Sequence, residues 1–366
     1  MYHILVINPG STSTKVAYYQ DHEPVYTESI HHSVTELAVF NSVIDQFDFR
    51  YQLVEHQLSG QVDVAAIDAW VGRGGLLKPI PGGTYVVDQD MVHDLTVGVQ
   101  GEHASNLGGL LANRFASKYN KPAYIVDPVV VDELDDLARY AGHRLFERKS
   151  IFHALNHKAV ARKASDMLGK PYESLNLVIA HLGGGISVAA HRQGRVIDVN
   201  NALDGEGPFS PERSGTLPAG DLVRLCFSGE YCPQDICKML TGKGGLVSYT
   251  GSNNIRELLN IALQGDAQND TRKVLEAMAR QIAKEIAAMA AVMSGNVDAI
   301  VLTGGIVHNK TLVEWIKKRV AFIANILEFP GEEEMEALAL GALRVLNGQE
   351  LPKIYAKEAV RYDNIL

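Results

Sequence analysis

The sequence predicts an α/β protein built from two copies of one folding plan. Two segments each have the pattern of a three-stranded meander, and each is followed by helical sequence and an apolar strand that ends in paired glycines. The chain has 366 residues, which is enough for two ordinary domains with complete cores. Each half should therefore form a mixed sheet covered by helices, and the two domains should meet at a cleft.

The first copy begins at the N-terminus. Short apolar runs separated by turn residues, with Pro9 and Gly10 at the first turn, predict three strands that pair as hairpins. Helical sequence follows, and a longer apolar run then ends at two glycines. The predicted strands are Ile4–Ile7, Lys15–Tyr19, Val25–Ser29 and Val62–Val71, the last leading to Gly74 and Gly75.

The second copy repeats this order. The helix before its last strand begins at Asp270 or Thr271, has apolar residues at helical spacing and stops at Gly295. An extra segment, roughly residues 203–270, is rich in Gly, Pro and Ser, which is typical of functional loops. The predicted strands are Leu177–Ala180, Ile186–His191, Arg195–Val199 and Ala299–Leu302, the last leading to Gly304 and Gly305.

The composition excludes several classes of function. With 34 basic and 43 acidic side chains, a net charge of −9 and a pI near 5.8, the chain has no broad basic face for nucleic acid. The N-terminal apolar run has only about five residues, and no stretch approaches the roughly 20 apolar residues of a membrane span. We therefore expect a soluble, cytoplasmic protein that binds neither nucleic acid nor membrane. Its cysteines, Cys226, Cys232 and Cys237, match neither a disulfide framework nor a zinc site.

Two glycine-rich turns, one in each copy, are candidate phosphate-binding loops. Small residues let backbone N–H groups approach an anion closely. The alternative is two tight β-turns in which glycine supplies a positive φ, but the repetition favours phosphate. Neither a Walker A motif nor a Rossmann fingerprint is present, so a nucleotide would need another scaffold. The first loop is Gly10, Ser11, Thr12 and Ser13 with Lys15 behind it, and the second is Gly183, Gly184 and Gly185 after His181.

A few charged residues stand in unusual contexts. Arg73 and Arg213 lie in glycine-rich sequence that predicts little helix, where a guanidinium can bind a carboxylate or phosphoryl group instead of lying on a solvated face. Asp127 ends an apolar strand, Ala123–Val126, and is either a magnesium ligand or the cap of a helix near residue 132. His153, in helical sequence, is by default an ordinary partly buried histidine. The acidic residues Glu332, Glu333, Glu334 and Glu336 predict a helix N-terminus, and one of them could reach the cleft.

Four ordered motifs resemble the short-chain carboxylate kinases, the acetate kinase family, and most closely its butyrate kinase branch. The likeness covers about residues 3–348. It implies the duplicated RNase H-like fold of actin, Hsp70 and the sugar kinases, with a carboxylate and phosphate lobe of residues 1–148 plus about 338–366 and a nucleotide-binding lobe of residues 149–337. The motifs are Asn8-Pro9-Gly10-Ser11-Thr12-Ser13-Thr14-Lys15, His181-Leu182-Gly183-Gly184-Gly185, Glu212-Arg213-Ser214-Gly215 and Thr303-Gly304-Gly305-Ile306.

The resemblance also implies which residues form the active site. ATP or ADP and Mg²⁺ are the implied cofactors, with Asp127 and Glu333 as metal ligands; Glu334 is the alternative to Glu333. The implied catalytic residues are Asn8, Arg73, Asp127, His153, Arg213 and Glu333. The implied nucleotide-binding residues are Ser11, Thr12, Ser13, Lys15, His181, Gly183, Gly184 and Gly185 for the phosphates, and Asn254, Ile255, Arg256, Gly304, Gly305, Ile306 and Asn309 for the adenosine.

The implied activity is reversible transfer of a phosphoryl group from ATP to butyrate, directly and in line, by a homo-oligomer. The sequence departs from the family where Val307 and His308 precede Asn309, and where Gly75 replaces a valine common in acetate kinases. The glycine is expected to open room for a longer acyl chain. Isobutyrate, propionate or acetate kinase activity, an ATPase of the actin or Hsp70 type, and a purely structural protein remain as alternatives.

Overall fold

The computed structural model describes residues 1–264 and 270–359 and divides the chain into two units. Of the described residues, 1–132 and 333–359 form unit 1, and those between 133 and 332 form unit 2. Both divisions fall earlier in the chain than the predicted boundaries at 148/149 and 337/338. At the first division, the carboxylate of Glu133 pairs with the buried Lys158 of unit 2 at 2.7 Å, and this contact ties Glu133 to unit 2.

Unit 1 contains a seven-stranded mixed sheet. Strands and helices are numbered along the whole chain. The strands are β1 (His3–Pro9), β2 (Ser13–Gln20), β3 (Glu23–His31), β4 (Ala69–Gly72), β5 (Thr84–Val86), β6 (Ala123–Val126) and β12 (Lys353–Ile354). Their order across the sheet is β12-β5-β6-β4-β1-β2-β3. Strands β1, β4 and β6 run parallel to one another, whereas β1, β2 and β3 form an antiparallel meander.

The helices of unit 1 cover this sheet. Trp70 of β4 is fully buried and stacks on Phe115 of the helix Asn106–Lys118, with ring centroids 4.7 Å apart. Phe115 stacks in turn on Tyr51. Large aromatic surfaces of this kind dominate the burial energy of a core. The helices are α1 (Val34–Leu37), α2 (Phe47–Leu58), α3 (Gln89–Val97), α4 (Asn106–Lys118), α12 (Glu334–Leu346) and α13 (Tyr355–Ala359), with 3₁₀ turns at Ile44–Gln46 and Val64–Ala66.

Unit 2 contains a five-stranded sheet in the order β11-β10-β7-β8-β9. Its strands are β7 (Asn176–Leu182), β8 (Ile186–Arg192), β9 (Arg195–Val199), β10 (Ala299–Gly304) and β11 (Asn325–Pro330). Its helices are α5 (Ala154–Leu168), α6 (Ala219–Cys226), α7 (Pro233–Leu240), α8 (Gly245–Thr250), α9 (Ile255–Gln264), α10 (Asp270–Val292) and α11 (Lys310–Val320), with 3₁₀ turns at Asp136–Arg139, Tyr172–Ser174 and Gly305–His308.

The central strand of the unit 2 sheet, β7, is buried on both faces. Val178 and Ala180 pack into the core beneath α10 and α11, whereas Leu177 and Ile179 pack into a second core with α5. The alternation follows from the two-residue period of a strand. A strand covered by helices on both sides is therefore apolar along its buried centre, as Leu177–Ala180 of β7 is.

The predicted internal repeat is confirmed strand by strand. The order β6-β4-β1-β2-β3 in unit 1 matches β11-β10-β7-β8-β9 in unit 2, and each neighbouring pair has the same parallel or antiparallel sense in both units. The second hairpin of each meander also contains a register shift, between Tyr18 and Tyr19 and between Ala190 and His191. Unit 1 adds β5 and β12 beyond the shared five strands.

Two predictions about elements were wrong. The run Val62–Val71 is a strand only from Ala69, because Asp63 accepts a hydrogen bond from the Ala65 N–H at 3.2 Å and starts a 3₁₀ turn instead. The extra segment 203–270 is not a long loop, since it forms α6 to α9, with Pro233 at the start of α7. Its residues 265–269 lie outside the described part of the chain.

The three cysteines are exposed and free of disulfides. Of the helices in residues 1–264 and 270–359, none combines the length and apolarity that crossing a bilayer requires.

Candidate active site

Three of the predicted catalytic residues lie at one edge of the unit 1 sheet. Asn8 is the penultimate residue of β1, Arg73 directly follows β4, and Asp127 directly follows β6. These strands are neighbours and run parallel, so their carboxyl ends meet at the same edge. Ligands of open α/β sheets bind at this edge.

Glu334, the first residue of α12, contacts two of these groups. Its Oε2 accepts a hydrogen bond from the Asn8 side chain at 2.9 Å, and its Oε1 forms an ion pair with the Arg73 guanidinium. Glu333 precedes the helix. Glu334 is therefore the first residue with helical backbone, and its carboxylate is the one that contacts both Asn8 and Arg73. The geometry favours Glu334 over Glu333.

Arg73 is held by a close approach of strand and helix. Gly72 lies against the backbone of Gly108 in α4, where any Cβ on Gly72 would collide with the Gly108 carbonyl. A Cβ on Gly108 would meet the Arg73 backbone N at 2.7 Å. The glycines on both elements therefore let α4 pack directly against the segment that carries Arg73.

The expectation that Gly75 opens an acyl pocket was wrong. The space beside Gly75 is filled by Asn106, whose Cα would lie 2.5 Å from a Cβ at position 75. The Asn106 side chain also accepts a hydrogen bond from the Leu76 N–H at 2.8 Å. Glycine occupies this position because the first turn of α4 needs the space, and no cavity for substrate follows from it.

Asp127 is buried, with 2% of its surface exposed, and its backbone has a φ of +37°. Its Oδ1 accepts a hydrogen bond from the Gly83 N–H at 2.6 Å, and its own N–H donates to the Gly83 carbonyl at 3.0 Å. A left-handed conformation in a residue other than glycine costs about 1–3 kcal/mol and is characteristic of functional sites. The alternative of a helix cap was wrong, because the helical turn in this region, Asp136–Arg139, has Asp135 as its cap residue.

The first glycine-rich turn joins β1 and β2. It is closed by a hydrogen bond from the Gly10 N–H to the Ser13 carbonyl at 2.7 Å, and Ser11 and Thr12 are exposed at its tip. Lys15 is the cross-strand partner of Asn8, so the two side chains project from the same face of the hairpin. The sequence prediction placed this lysine behind the turn, and the register agrees with that position.

Arg50 holds the first turn from beneath, and the sequence analysis missed it. This arginine of α2 is fully buried, and its guanidinium donates hydrogen bonds to the carbonyls of Gly10 (2.9 Å), Ser13 (3.2 Å) and Ser11 (3.3 Å). Burial lowers its pKa to about 10. The available signal was its place on the apolar face of α2, four residues before Val54.

A hydroxyl and an imidazole complete this support. The Thr14 hydroxyl accepts a hydrogen bond from Nη1 of Arg50 at 3.0 Å and lies 2.9 Å from Nε2 of His32. The hydroxyl proton can therefore be donated to His32, which must be neutral to accept it. Burial, with the nearby Arg50 charge, lowers the pKa of His32 to about 4.

The second glycine-rich turn joins β7 and β8. The Gly183 N–H donates to the Gly185 carbonyl at 3.1 Å, and the hydroxyl of Ser210 donates to the Gly184 carbonyl at 2.5 Å. None of these three glycines has a positive φ, and neither does Gly10 in the first turn. The alternative interpretation, that glycine serves the backbone angle of a tight turn, therefore fails in both units.

Arg213 explains the glycine at position 185. A Cβ at that position would collide with Nη1 of Arg213, so the guanidinium lies directly against the turn. Nη1 donates to the Ala202 carbonyl at 2.7 Å, whereas Nε is buried and has no hydrogen-bond partner within the described chain. Burial lowers the pKa of Arg213 despite the nearby Glu212 and Asp204. A cation with an unsatisfied buried donor is favourable only when an anion completes its contacts.

His153 and His181 form a stacked pair beside this turn. Their ring centroids are 3.8 Å apart and their planes differ by 13°. Nδ1 of His181 lies 2.9 Å from the Asn156 side-chain oxygen, and Nε2 lies 3.1 Å from a carboxylate oxygen of Glu332. The predicted residues His153, His181 and the glycine turn are therefore brought together within unit 2.

The predicted adenosine residues lie at two helix starts of unit 2. Asn254 accepts a hydrogen bond from the Glu257 N–H at 3.3 Å before α9, whose first two residues are Ile255 and the exposed Arg256. Asn309 caps α11 through the Leu312 N–H at 3.2 Å. Between β10 and Asn309, Gly304 has a φ of +96°, the position of a Cβ on Gly305 is open, and Ile306 is buried. Their contact with adenosine stays a prediction.

The comparison with known proteins identifies the family. Residues 122–335 match the sequence model of the acetokinase family. Butyrate kinase 2 of Clostridium acetobutylicum is 55% identical over 353 residues, which cover 96% of this chain and 99% of that protein. The chain belongs to the acetokinase family. Butyrate kinase 1 of the same organism is 53% identical over 356 residues, covering 97% and 100% of the two chains. The family identification made from the motifs is confirmed.

Solved structures confirm the fold. The crystal structure of Porphyromonas gingivalis acetate kinase has a TM-score of 0.76 and 18% identity, covering 94% of this chain and 100% of that one. A propionate kinase from Francisella tularensis subsp. tularensis has a TM-score of 0.71 and 20% identity, covering 93% and 99%. The predicted duplicated α/β fold with two domains is therefore that of the acetokinase family.

Proposed function

We propose that this protein is a butyrate kinase, which transfers the γ-phosphoryl group of ATP to butyrate and forms butyryl phosphate and ADP reversibly. Its similarity to the two clostridial butyrate kinases extends over nearly the whole of each chain. The same acetokinase family model matches its residues 122–335. The assignment of the individual residues to steps of this reaction is part of the proposal.

The observation that best supports nucleotide binding is the Arg213 guanidinium against the glycine turn. Its buried Nε lacks a partner within the described chain, and a phosphate oxygen would supply one. The N–H groups of a glycine turn can approach phosphate closely, because Cβ atoms do not intervene. We assign the β- and γ-phosphates of ATP to the segment from His181 to Gly185, with Arg213 and His153 at the transferred group.

The acid is assigned to Arg73. A guanidinium has five N–H donors in a planar fork, so Arg73 can bind a substrate carboxylate while keeping Glu334 as a partner. The carboxylate of a fatty acid is already ionised at neutral pH, so the reaction needs no general base. The protein must instead align two anions and screen their repulsion, which is the role of cationic and N–H groups.

The reaction forms one bond and breaks one bond. A carboxylate oxygen attacks the γ-phosphorus, the bond between that phosphorus and the β,γ-bridging oxygen breaks, and ADP leaves with the bonding electrons. Asn8 is suited to orient a phosphoryl oxygen through its amide, since Glu334 fixes its side chain at 2.9 Å. Cationic groups at such a transition state contribute on the order of 10³ to 10⁵ in rate.

Magnesium is proposed as the cofactor bound with the nucleotide. Among the described residues no three His, Cys, Asp or Glu side chains form a preassembled metal cluster. This fits the coordination of Mg²⁺ in kinases, which uses one or two carboxylates together with phosphate oxygens and water. Asp127 and Glu334 would supply these carboxylates. When bound, the ion neutralises charge on the phosphates.

The test is a coupled assay for ADP with carboxylic acids of two to six carbons, straight and branched, together with capture of the acyl phosphate by hydroxylamine. We expect the highest kcat/KM with a four-carbon acid. Because one methylene is worth only about 1–3 kcal/mol in an apolar pocket, propionate and isobutyrate should also react. A clear preference for acetate would reject the butyrate assignment. A rate of ATP hydrolysis that does not change when acid is added would favour an ATPase of the actin or Hsp70 type.

Two further properties belong to the proposal. A homo-oligomer is proposed only from the resemblance noted in the sequence motifs, and light scattering of the purified protein would test it. The use of ATP as a substrate supports a cytoplasmic location, which fractionation of cells that express the protein would test.

A further inference from the structure

A chain of hydrogen bonds leads from His153 into the interior of unit 2. The hydroxyl of Ser187, which is fully buried, lies 2.9 Å from Nδ1 of His153 and 2.9 Å from Nε2 of His157. The chain continues from Nδ1 of His157 to Nε2 of His191 at 3.2 Å, and from Nδ1 of His191 to the Tyr172 hydroxyl at 2.7 Å. Both nitrogens of the two interior imidazoles are therefore used.

The secondary structure places these groups in line. His153 is the cap residue before α5, and the N–H of His157, four residues later, donates to its carbonyl at 2.9 Å, so the two residues are one helical turn apart. Ser187 and His191 are four residues apart on β8, and so lie on one face of the strand. The rings of His157 and His191 differ by 7° in orientation, with centroids 5.5 Å apart. The four-residue spacing of His153 and His157 therefore matches that of Ser187 and His191, so the four side chains can form one continuous chain of hydrogen bonds.

The two interior histidines are neutral. Burial lowers the pKa of both His157 and His191 well below the ordinary range, and each is fully buried. A neutral imidazole donates from one nitrogen and accepts at the other, so each ring passes the direction of donation to the next group. The chain consequently has two proton arrangements, one in which every donor points toward His153 and one in which every donor points away.

Two cations beside the Tyr172 ring favour the first arrangement, and one of them, Lys158, also pairs with the Glu133 carboxylate at 2.7 Å. The Lys158 ammonium lies 5.7 Å from the centroid of the Tyr172 ring, and the Arg162 guanidinium lies 6.0 Å from it. A phenol beside two cations is a better donor and a poorer acceptor, because the positive charges favour release of its proton. Tyr172 then donates to His191, and the last link is donation from Ser187 to Nδ1 of His153.

We propose that Tyr172, His191, His157 and Ser187 are positioning residues that hold His153 as the neutral tautomer with its proton on Nε2. The inference rests on the proposed function, in which His153 donates a hydrogen bond to the transferred phosphoryl group. A donor whose tautomer is fixed beforehand stabilises developing charge without reorganisation during the reaction.

The test combines nitrogen-15 NMR of the histidine rings in the full chain with steady-state kinetics. The His153 signals are assigned by their loss in His153→Gln. In the wild type, Nε2 should carry the proton. In Ser187→Ala and Tyr172→Phe the tautomer should become mixed, and kcat should fall about tenfold while both KM values change less than about threefold. Ser187→Thr retains the hydroxyl and should restore both readouts.

Tyr85→Phe is the matched control, because Tyr85 is also buried and its hydroxyl donates to the Pro81 carbonyl at 2.7 Å in unit 1. It should change stability but neither the tautomer nor kcat. A wild-type His153 protonated at Nδ1 would overturn the proposal. So would a His153 tautomer that is unchanged in both Ser187→Ala and Tyr172→Phe. The NMR measurement does not depend on turnover. If the protein formed no acyl phosphate, the proposed function would be refuted, but the NMR spectra would still show whether the hydrogen-bond chain sets the His153 tautomer.

Discussion

The carboxylate of Glu334 forms an ion pair with the guanidinium of Arg73, although the two residues are far apart in the sequence. The pair joins the start of α12 to the end of β4, and Glu334 also accepts a hydrogen bond from Asn8 in β1. The interaction is the reason that we assign Glu334 to the proposed site. It also positions the arginine that we assign to the substrate carboxylate.

Glu334→Gln should lower kcat by about 10²-fold, because it removes the partner that orients Arg73 and a proposed metal ligand. Glu333→Gln is the neighbouring comparison and should lose far less. Steady-state kinetics with saturating ATP and varied acid measure both variants. A larger loss in Glu333→Gln than in Glu334→Gln would return the catalytic role to Glu333.

Gly75→Ala should destabilise the protein by about 1–3 kcal/mol, because its Cβ would lie 2.5 Å from the Asn106 Cα in a packed region. Activity should decline in parallel for acids of every length. Urea unfolding and assays with acetate and butyrate measure this. Gly142→Ala is the control, since no atom lies within 4 Å of its Cβ position. Normal stability with a shift toward acetate would restore the pocket interpretation.

Gly185→Ala should displace the Arg213 guanidinium, with which its Cβ would collide. A misplacement of about 1 Å costs roughly 10² in turnover. Gly184→Ala should be milder, because its Cβ would lie 3.4 Å from Glu212, an ordinary contact. Rapid quench measurement of acyl phosphate formation compares the two. Equal losses would mean that Arg213 does not account for the glycine at 185.

Arg213→Ala should lose turnover by about 10³-fold or more, with a much smaller change in ATP affinity. The reason is that the proposed contact is strongest when charge develops on the transferred group. Calorimetric titration with a nonhydrolysable ATP analogue and kinetics separate the two effects. The exposed Arg144, changed to Ala, is the control. Turnover near that of the wild type would remove Arg213 from the proposed mechanism.

Arg50→Lys should lower stability by at least about 2 kcal/mol, because an ammonium cannot reach all the carbonyls that the guanidinium serves. The turn at residues 10–13 should loosen, and the KM for ATP should rise if this turn binds phosphate. Urea unfolding and hydrogen exchange of the turn measure both effects. Arg144→Lys, at an exposed position, should change neither.

His32 should make stability depend on pH. Its pKa is about 4 in the folded protein, below the ordinary 6.5, so the unfolded chain binds more protons between these values. Stability from this group is complete above about pH 6.5 and is lost as the pH falls toward 4, by about 1–3 kcal/mol after solvent screening. His32→Gln should flatten this part of the unfolding curve, whereas His22→Gln, at an exposed position, should leave it unchanged.

Local pattern determined most of the fold. The two meanders, the strands that end in glycine pairs and the long helix α10 follow from the period of apolar residues and from turn chemistry, both of which are properties of neighbouring residues. The motifs were also sufficient to identify the family and to name candidate catalytic residues, which are Asn8, Arg73, Asp127, His153 and Arg213. Those assignments to catalysis stay predictions until the variants are measured.

Only the tertiary structure decided which residues meet. The choice of Glu334, the filling of the space beside Gly75 by Asn106, and the support of the first turn by Arg50 all depend on contacts between elements distant in the sequence. Such contacts depend on how closely two backbones approach and on which way a helix is rotated, and no local period encodes either quantity. The hydrogen-bond chain through the histidines also depends on tertiary structure. His153 and His157 can contact Ser187 only when the start of α5 lies beside β8.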